Sequence, residues 1–267
     1  MQNWILTLLV GLMFCSCADQ EKVEFEPYAP KYEANELISQ LDSAFTSQNP
    51  LKLVDFFKTW NLDIQPNNEK FTDQNEIIKS VYEIYKAFYS PNNPSKLGQW
   101  EDFNKPDDSL AYFVIQNMIY YSVIPDFEKF QWETSKIDSI NNFKPRLEHL
   151  GQEGILYLTN EYNSALNGFL GYEHNKFGAG NVMSPSFVKG ETEKRYKFLK
   201  KYIHILHGHW GGYWHIETHP EVGSIVMNNQ LTKATIHFRY GYEGGETMFK
   251  KENGEWILQS SKVTWIE

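Results

Sequence analysis

Cysteine is almost missing from this chain of 267 residues: there are two, Cys15 and Cys17, both near the N-terminus. From residue 18 onward no disulfide, thiolate nucleophile or metal–thiolate site can form, which excludes catalytic-cysteine and zinc-ribbon chemistry there. Long apolar runs are missing too. Ile5 to Phe14 is apolar but falls short of the about 20 residues that a membrane-spanning helix needs. Positive charge is in deficit, with 25 Lys and Arg against 34 Asp and Glu and a formal net charge of −9. Such a surface repels phosphate backbones, so nucleic acid is not an expected partner. The basic run Lys194-Arg195-Tyr196-Lys197 with Lys200 and Lys201 carries Tyr196, Leu199 and Ile203 at helical spacing, and reads as a solvated helix face. No Gly-x-Ser-x-Gly elbow, phosphate loop or His-Glu-x-x-His helix motif occurs.

What is present begins with the N-terminus. The apolar run ends at Ser16-Cys17 and no charge precedes Asp19. This has the length of a signal peptide's hydrophobic region. A small residue followed by cysteine is similar to the lipobox of bacterial lipoproteins, although Met1-Gln2-Asn3-Trp4 carries no Lys or Arg and Phe14 stands where Leu is usual. The resemblance implies a signal peptide over 1–16, cleavage, and acylation (a palmitate-type anchor) of Cys17. A plain secretory signal or an uncleaved anchor is the alternative. The resemblance further implies a lipid-anchored protein of the bacterial cell envelope, in the outer membrane by preference, with the membrane as one partner. Residues 17–31, with Asp19, Glu21, Glu24, Glu26, Pro27 and Pro30, cannot bury a core and read as a tether. Extended at roughly 3.3 Å per residue, it reaches about 45 Å. Asp19 and Glu21 resemble in kind the acidic surface-export signal of some Gram-negative lipoproteins.

Residues 32–267 read as a single α+β domain, helices first and an antiparallel meander last. Leu37, Leu41 and Phe45 recur every four residues until Asn49-Pro50. Leu51, Val54 and Phe57 carry a second helix to Trp60, and Asp73 with Glu76 predicts the start of a third, with Ile77, Val81, Ile84 or Tyr85, and Phe88 as its stripe. Tyr112 to Ile115 and Met118 to Ile124 are β-branched and aromatic and read as strands. Residues 126–150 show no period. Gly154 to Leu158 suggests a strand leading into a helix through Tyr162, Leu166 and Leu170, and 171–188 a long loop. Four strands close the chain, at Ser224–Met227, Lys233–Tyr242, Glu246–Lys250 and Glu255–Trp265. The turns expected between the last three are Gly244-Gly245 and Asn253-Gly254.

Helices followed by a long meander with a Gly-Trp pair after the final turn resemble the nuclear transport factor two-like fold, which implies a cone-like sheet around a pocket. The middle of this chain is longer than that compact fold requires. His209-Trp210-Gly211-Gly212-Tyr213-Trp214 and the ending Thr264-Trp265-Ile266-Glu267 also look like those of uncharacterised envelope lipoproteins, a resemblance that implies no activity.

Two sets of residues can carry chemistry. Histidines crowd between His204 and His219, and His209, His215, Glu217 and His219 are the candidate ligands for a divalent transition metal. An odd loop through Gly211-Gly212-Tyr213 brings His209 opposite His215. An even Gly-Gly turn, the more usual one, sends the two sets to opposite faces, so no cofactor is the leading expectation. The second set is the polar face of the penultimate sheet, with His237, Arg239 and Glu243 as candidate catalytic groups. Phe, Tyr and Trp make up 16% of the chain, enough both for a large sheet core and for ring stacking on sugars. The sequence favours a binding or assembly role with a small-molecule, glycan or protein partner. The alternatives are a pocket enzyme, hydrolase-like and metal-assisted, and a glycan-binding surface lipoprotein.

Overall fold

The computed structural model describes residues 29–67, 75–93, 97, 111–125, 129–132, 134–150, 154–174, 181–183, 189–207 and 214–266. The expected signal, Cys17 and most of the tether lie outside the described residues, as do Asp73, His209 and the Gly211-Gly212 pair. Among the described residues no helix is long and apolar enough to cross a membrane.

Three helices come first: α1 (Ala34–Thr46), α2 (Pro50–Asp63) and α3 (Glu76–Phe88). Strands β1 (Phe113–Gln116), β2 (Met118–Ile124), β3 (Asp138–Asn141) and β4 (Ile155–Leu158) lead to α4 (Asn160–Phe169). After β5 (Tyr172–His174), β6 (Asn181–Met183) and α5 (Lys189–Leu199) come two short strands, β7 (Leu206–His207) and β8 (Trp214–His215). The chain closes with β9 (Glu221–Asn228), β10 (Lys233–Tyr240), β11 (Glu243–Glu252) and β12 (Glu255–Ile266).

The fold is α+β, its main sheet six-stranded in the order β12-β11-β10-β9-β2-β3. The last four strands form the expected antiparallel meander, while β2 joins β9 in parallel, with Tyr121 opposite Ile225. Strand β1 pairs instead with β4, also in parallel, in a separate small sheet. Two stretches left open by the sequence contain strands: β3 in 126–150, and the antiparallel pair β5 and β6 in the expected loop 171–188.

Local chemistry accounts for the helix ends. Asn49 turns its side chain onto the Leu51 amide at 3.0 Å, and Pro50 at the first helical position needs no amide partner, so one dipeptide ends α1 and starts α2. The cap of α3 is Asn75, not Asp73: its Oδ1 accepts from the amides of Ile77 and Ile78. Ile78, Val81, Tyr82, Ile84, Tyr85 and Phe88 of α3 are buried, and Phe88 meets Phe238 of β10 edge-on at 4.9 Å. On the other side Trp60 of α2 stacks on Tyr162 of α4 at 4.3 Å and donates its indole N–H to the Tyr157 carbonyl at 3.0 Å. Leu51, expected on the buried stripe of α2, is exposed, because the apolar face is set by Leu53, Phe56, Phe57 and Trp60.

One turn differs from expectation in a way that shapes the site. The chain reverses at Gly241-Tyr242, so that Tyr240 faces Glu243, and Gly241 adopts φ of 64°, the positive angle that a two-residue hairpin of this kind demands of its first residue. Gly244 and Gly245 lie inside β11 instead. The other hairpin is where the sequence puts it, with Asn253 and Gly254 at φ of 52° and 89°.

Candidate functional site: a histidine–carboxylate cluster beside a cleft

Residues 214–221 do not continue as a strand beyond His215. Thr218 is pinned three ways. Its amide donates to the Val114 carbonyl at 2.8 Å, its hydroxyl oxygen accepts from the Val114 amide at 3.0 Å, and its carbonyl accepts from the Tyr89 hydroxyl at 2.7 Å. Burial raises the Tyr89 hydroxyl well above its ordinary value, so it remains a donor. The bond between His219 and Pro220 is cis, and β9 begins at Glu221. The Gln116 side chain fastens that start, donating to the Val222 carbonyl at 2.9 Å and accepting from its amide at 2.7 Å. Strand β1, the end of α3 and β9 thus hold the segment from three sides.

The folded segment brings His215, His219 and Glu221 together, each offering one ligand atom, all within 4.8 Å of one another. That group can hold a metal ion. The two imidazoles meet edge-on at 5.5 Å. His219 is 1% exposed and His215 8%. His219 Nδ1 lies 3.1 Å from both the Arg239 carbonyl and the Gly241 amide, while its Nε2 is buried with no hydrogen-bond partner. The Gly241 amide donates to Nδ1, which places the neutral ring's proton on Nε2; in the other tautomer Nδ1 donates to the Arg239 carbonyl and Nε2 is bare, the arrangement in which a backbone carbonyl orients a metal-binding histidine. Burial, with His215 beside it, pushes the His219 pKa down to about 3, so the ring is neutral at pH 7.

Of the ligands proposed from sequence, His215 and His219 converge. Glu217 does not belong to the group; its place is taken by Glu221. The chain leaves strand geometry directly after His215, where Thr218 is bound to Val114, so the period-two alternation on which Glu217 depended does not hold. Pro220, which offers no backbone donor, was the sequence signal against one continuous strand there. His209 lies outside the described residues; the register of β7 with β8 sets Leu206 opposite His215. Glu217 is perturbed all the same: burial, with the negative charge of Glu221 adding, raises its carboxyl to about 7 against two backbone hydrogen bonds that pull it down. Burial raises Glu221 as well, and the Arg239 guanidinium opposes this.

Glu221 has a second neighbourhood. It lines a cleft of about 790 Å³ on the sheet face opposite α3, together with Gly223, His237, Arg239, Glu246 and Trp265, and with Phe130, Gln131 and Trp132 at the rim. Sheet register explains the company. Across β9, β10, β11 and β12 one row runs Glu221, Arg239, Gly244, Trp265, and the next Ser224, His237, Glu246, Lys262. His237 Nδ1 is 3.6 Å from Glu246, whose other oxygen is 3.1 Å from Lys262 Nζ. Burial lowers the His237 pKa, against Glu246 and with Lys262, so His237 too is neutral at pH 7. Its ring stacks on Phe130 at 5.6 Å.

His237 and Arg239 therefore share one cleft, as their alternation along β10 implies. Glu243 does not join them: the turn at Gly241-Tyr242 makes it the first residue of β11, opposite Ile266. Glu246 and Glu221 supply the carboxylates instead. Scans of family models, curated proteins and solved structures return no match to this chain.

Proposed function

We propose that the protein is a lipid-anchored envelope lipoprotein, held at Cys17, whose cleft is a metal-assisted site acting on a small ligand by hydrolysis. One observation carries the site: Glu221 belongs both to the two-histidine group and to the cleft wall, so an ion held by His215, His219 and Glu221 would border the ligand space through that carboxylate. Three protein ligands are the number found in catalytic rather than structural zinc sites. A divalent ion there would act as a Lewis acid on a ligand oxygen. The chain's own groups do the rest. For hydrolysis, neutral His237 would take the proton of the attacking water and pass it to the leaving group as the scissile bond breaks, and Arg239 would donate to charge that develops on the ligand. Kinship with the nuclear transport factor two-like fold belongs to the same reading, supported by helices lying on one face of a meander.

The plainer reading, a binding protein whose cleft holds a ligand unchanged, is favoured by Glu246, which Lys262 and His237 already engage and which is thereby withdrawn from acid–base duty. Elemental analysis of the protein purified without chelator decides whether the ion exists. About one zinc or similar ion per chain is expected, lost in the His215→Ala/His219→Ala pair. A chain free of metal after incubation with zinc refutes the metal-assisted site. Incorporation of labelled palmitate, abolished by Cys17→Ser, tests the anchor; unchanged labelling in that variant refutes it.

A further inference from the structure

We infer that the cleft's ligand is a carbohydrate, seated with one sugar ring on Trp265. The inference names the ligand of the cleft proposed above; it rests on that cleft but not on the metal.

Trp265 is placed unusually for a tryptophan in a sheet. A Cβ added to Gly244 would lie 1.8 Å from Trp265 Cε2 and 2.1 Å from its Cζ2 and Nε1, so the indole occupies the space that any side chain at 244 would fill. It lies down on the sheet across the row, and the Arg239 guanidinium is 5.7 Å from its centre. One indole face is taken by the Gly244 backbone, yet the residue is 46% exposed. Trp132, also 46% exposed, stands at the same cleft and meets Tyr120 edge-on at 6.5 Å. Large rings left open at a concave site leave apolar area in water that a ligand can cover.

Beside the apolar groups of the cleft, Phe130, Trp132 and Phe238, stand charged ones: Arg239, Glu221 and Glu246. Sugars match this combination. Their rings present a C–H face that packs on an indole, and a rim of hydroxyls that donate to carboxylates and accept from a guanidinium in paired, planar contacts. A purely apolar ligand would take water from Arg239 and from the Glu246–Lys262 pair without offering hydrogen bonds in exchange. An anionic ligand would meet two carboxylates and a chain of net charge −9. The volume of about 790 Å³ accommodates one or two sugar rings.

The test is titration of the full chain with glucose, galactose, N-acetylglucosamine, maltose, cellobiose and chitobiose, read by tryptophan fluorescence and calorimetry, with and without chelator. At least one sugar is expected to bind saturably, with affinity falling roughly tenfold or more in Trp265→Ala. Gly244→Ala, which evicts the indole while leaving it in the chain, is expected to produce the same loss. Both variants are checked for an unchanged melting transition, and Met248→Ala, exposed on the same strand as Gly244, should bind as the parent does. If none of the sugars binds at roughly 10 mM, or if Trp265→Ala binds as well as the parent, the inference is overturned. Sugar binding by a chain that takes up no metal after incubation with zinc supports the sugar while the metal-assisted reading fails. A chain that holds metal and binds no sugar is the reverse.

Discussion

Trp60 and Trp265 are the same side chain put to opposite uses. Trp60 is fully buried, stacked on Tyr162, with its N–H bonded to the Tyr157 carbonyl. Trp265 lies over a glycine with much of its surface open. In the helical half, aromatic rings have partners on every side: Phe57 touches Trp60, Tyr112 and Tyr202, and Phe56 touches Phe57 and Tyr162. On the outer face of the sheet the rings border charged groups and a cleft. Aromatic content alone therefore says nothing about role; what decides is how much of a ring the chain itself covers, all of Trp60 but only about half of Trp265.

The largest effect should come from the closed half. Trp60→Ala removes a fully buried ring and one of the two donors to the Tyr157 carbonyl, the Thr159 amide remaining, which should cost about 3–5 kcal/mol in denaturant unfolding. A loss below about 1 kcal/mol would mean that the cavity collapses freely, and the contrast with Trp265 would fail.

Acidification probes the buried polar groups of the other half. His204, pushed down to about 4 by burial and by Lys200, and His219, at about 3, are neutral when folded but titrate near 6.5 when unfolded. The unfolded chain therefore binds more protons, and folding stability is lost as pH falls from about 6.5 toward 4, at roughly 1.4 kcal/mol per pH unit for each histidine. Glu217 acts in the opposite sense. Its folded pKa of about 7 lies above the ordinary 4.5, so its contribution is lost as pH rises through that window. His237, also lowered by burial, joins the histidines and Glu221, also raised, joins the carboxyls; three histidines outweigh two carboxyls, and metal-free protein should melt at lower temperature at pH 5 than at pH 7. His204→Gln should flatten that slope. A slope unchanged by the variant would place the pH response elsewhere.

The helical layer and the meander were legible in the sequence because period 3.6 and period 2 survive wherever one face of an element is buried, as in Ile236, Phe238 and Tyr240. The last turn was legible because Asn253-Gly254 tolerates positive φ. Gly244-Gly245 misled for an instructive reason: glycine has two uses, positive φ and empty space, and here the second one wins. The parallel insertion of β2 beside β9 has no local signature, since the two strands lie about a hundred residues apart and only tertiary packing joins them. At the site, His215 and His219 were legible as ligand-type residues. Glu221 was not, because reaching it requires the bend at Pro220 and the grip of Val114, Tyr89 and Gln116, all remote in sequence.

The smallest effect on stability is expected from Trp265→Ala. The indole buries one face on Gly244 and holds a cation–π contact with Arg239, worth about 0.5–1 kcal/mol at an exposed site, and its removal opens no enclosed cavity. Unfolding free energy should change by about 1 kcal/mol or less, a fraction of the Trp60→Ala loss. Such a result would mean that a large ring is kept where the fold does not need it. A destabilisation as large as that of Trp60→Ala would make the indole a structural lid over β11 and β12, and the difference between the two tryptophans would then be one of exposure, not of role.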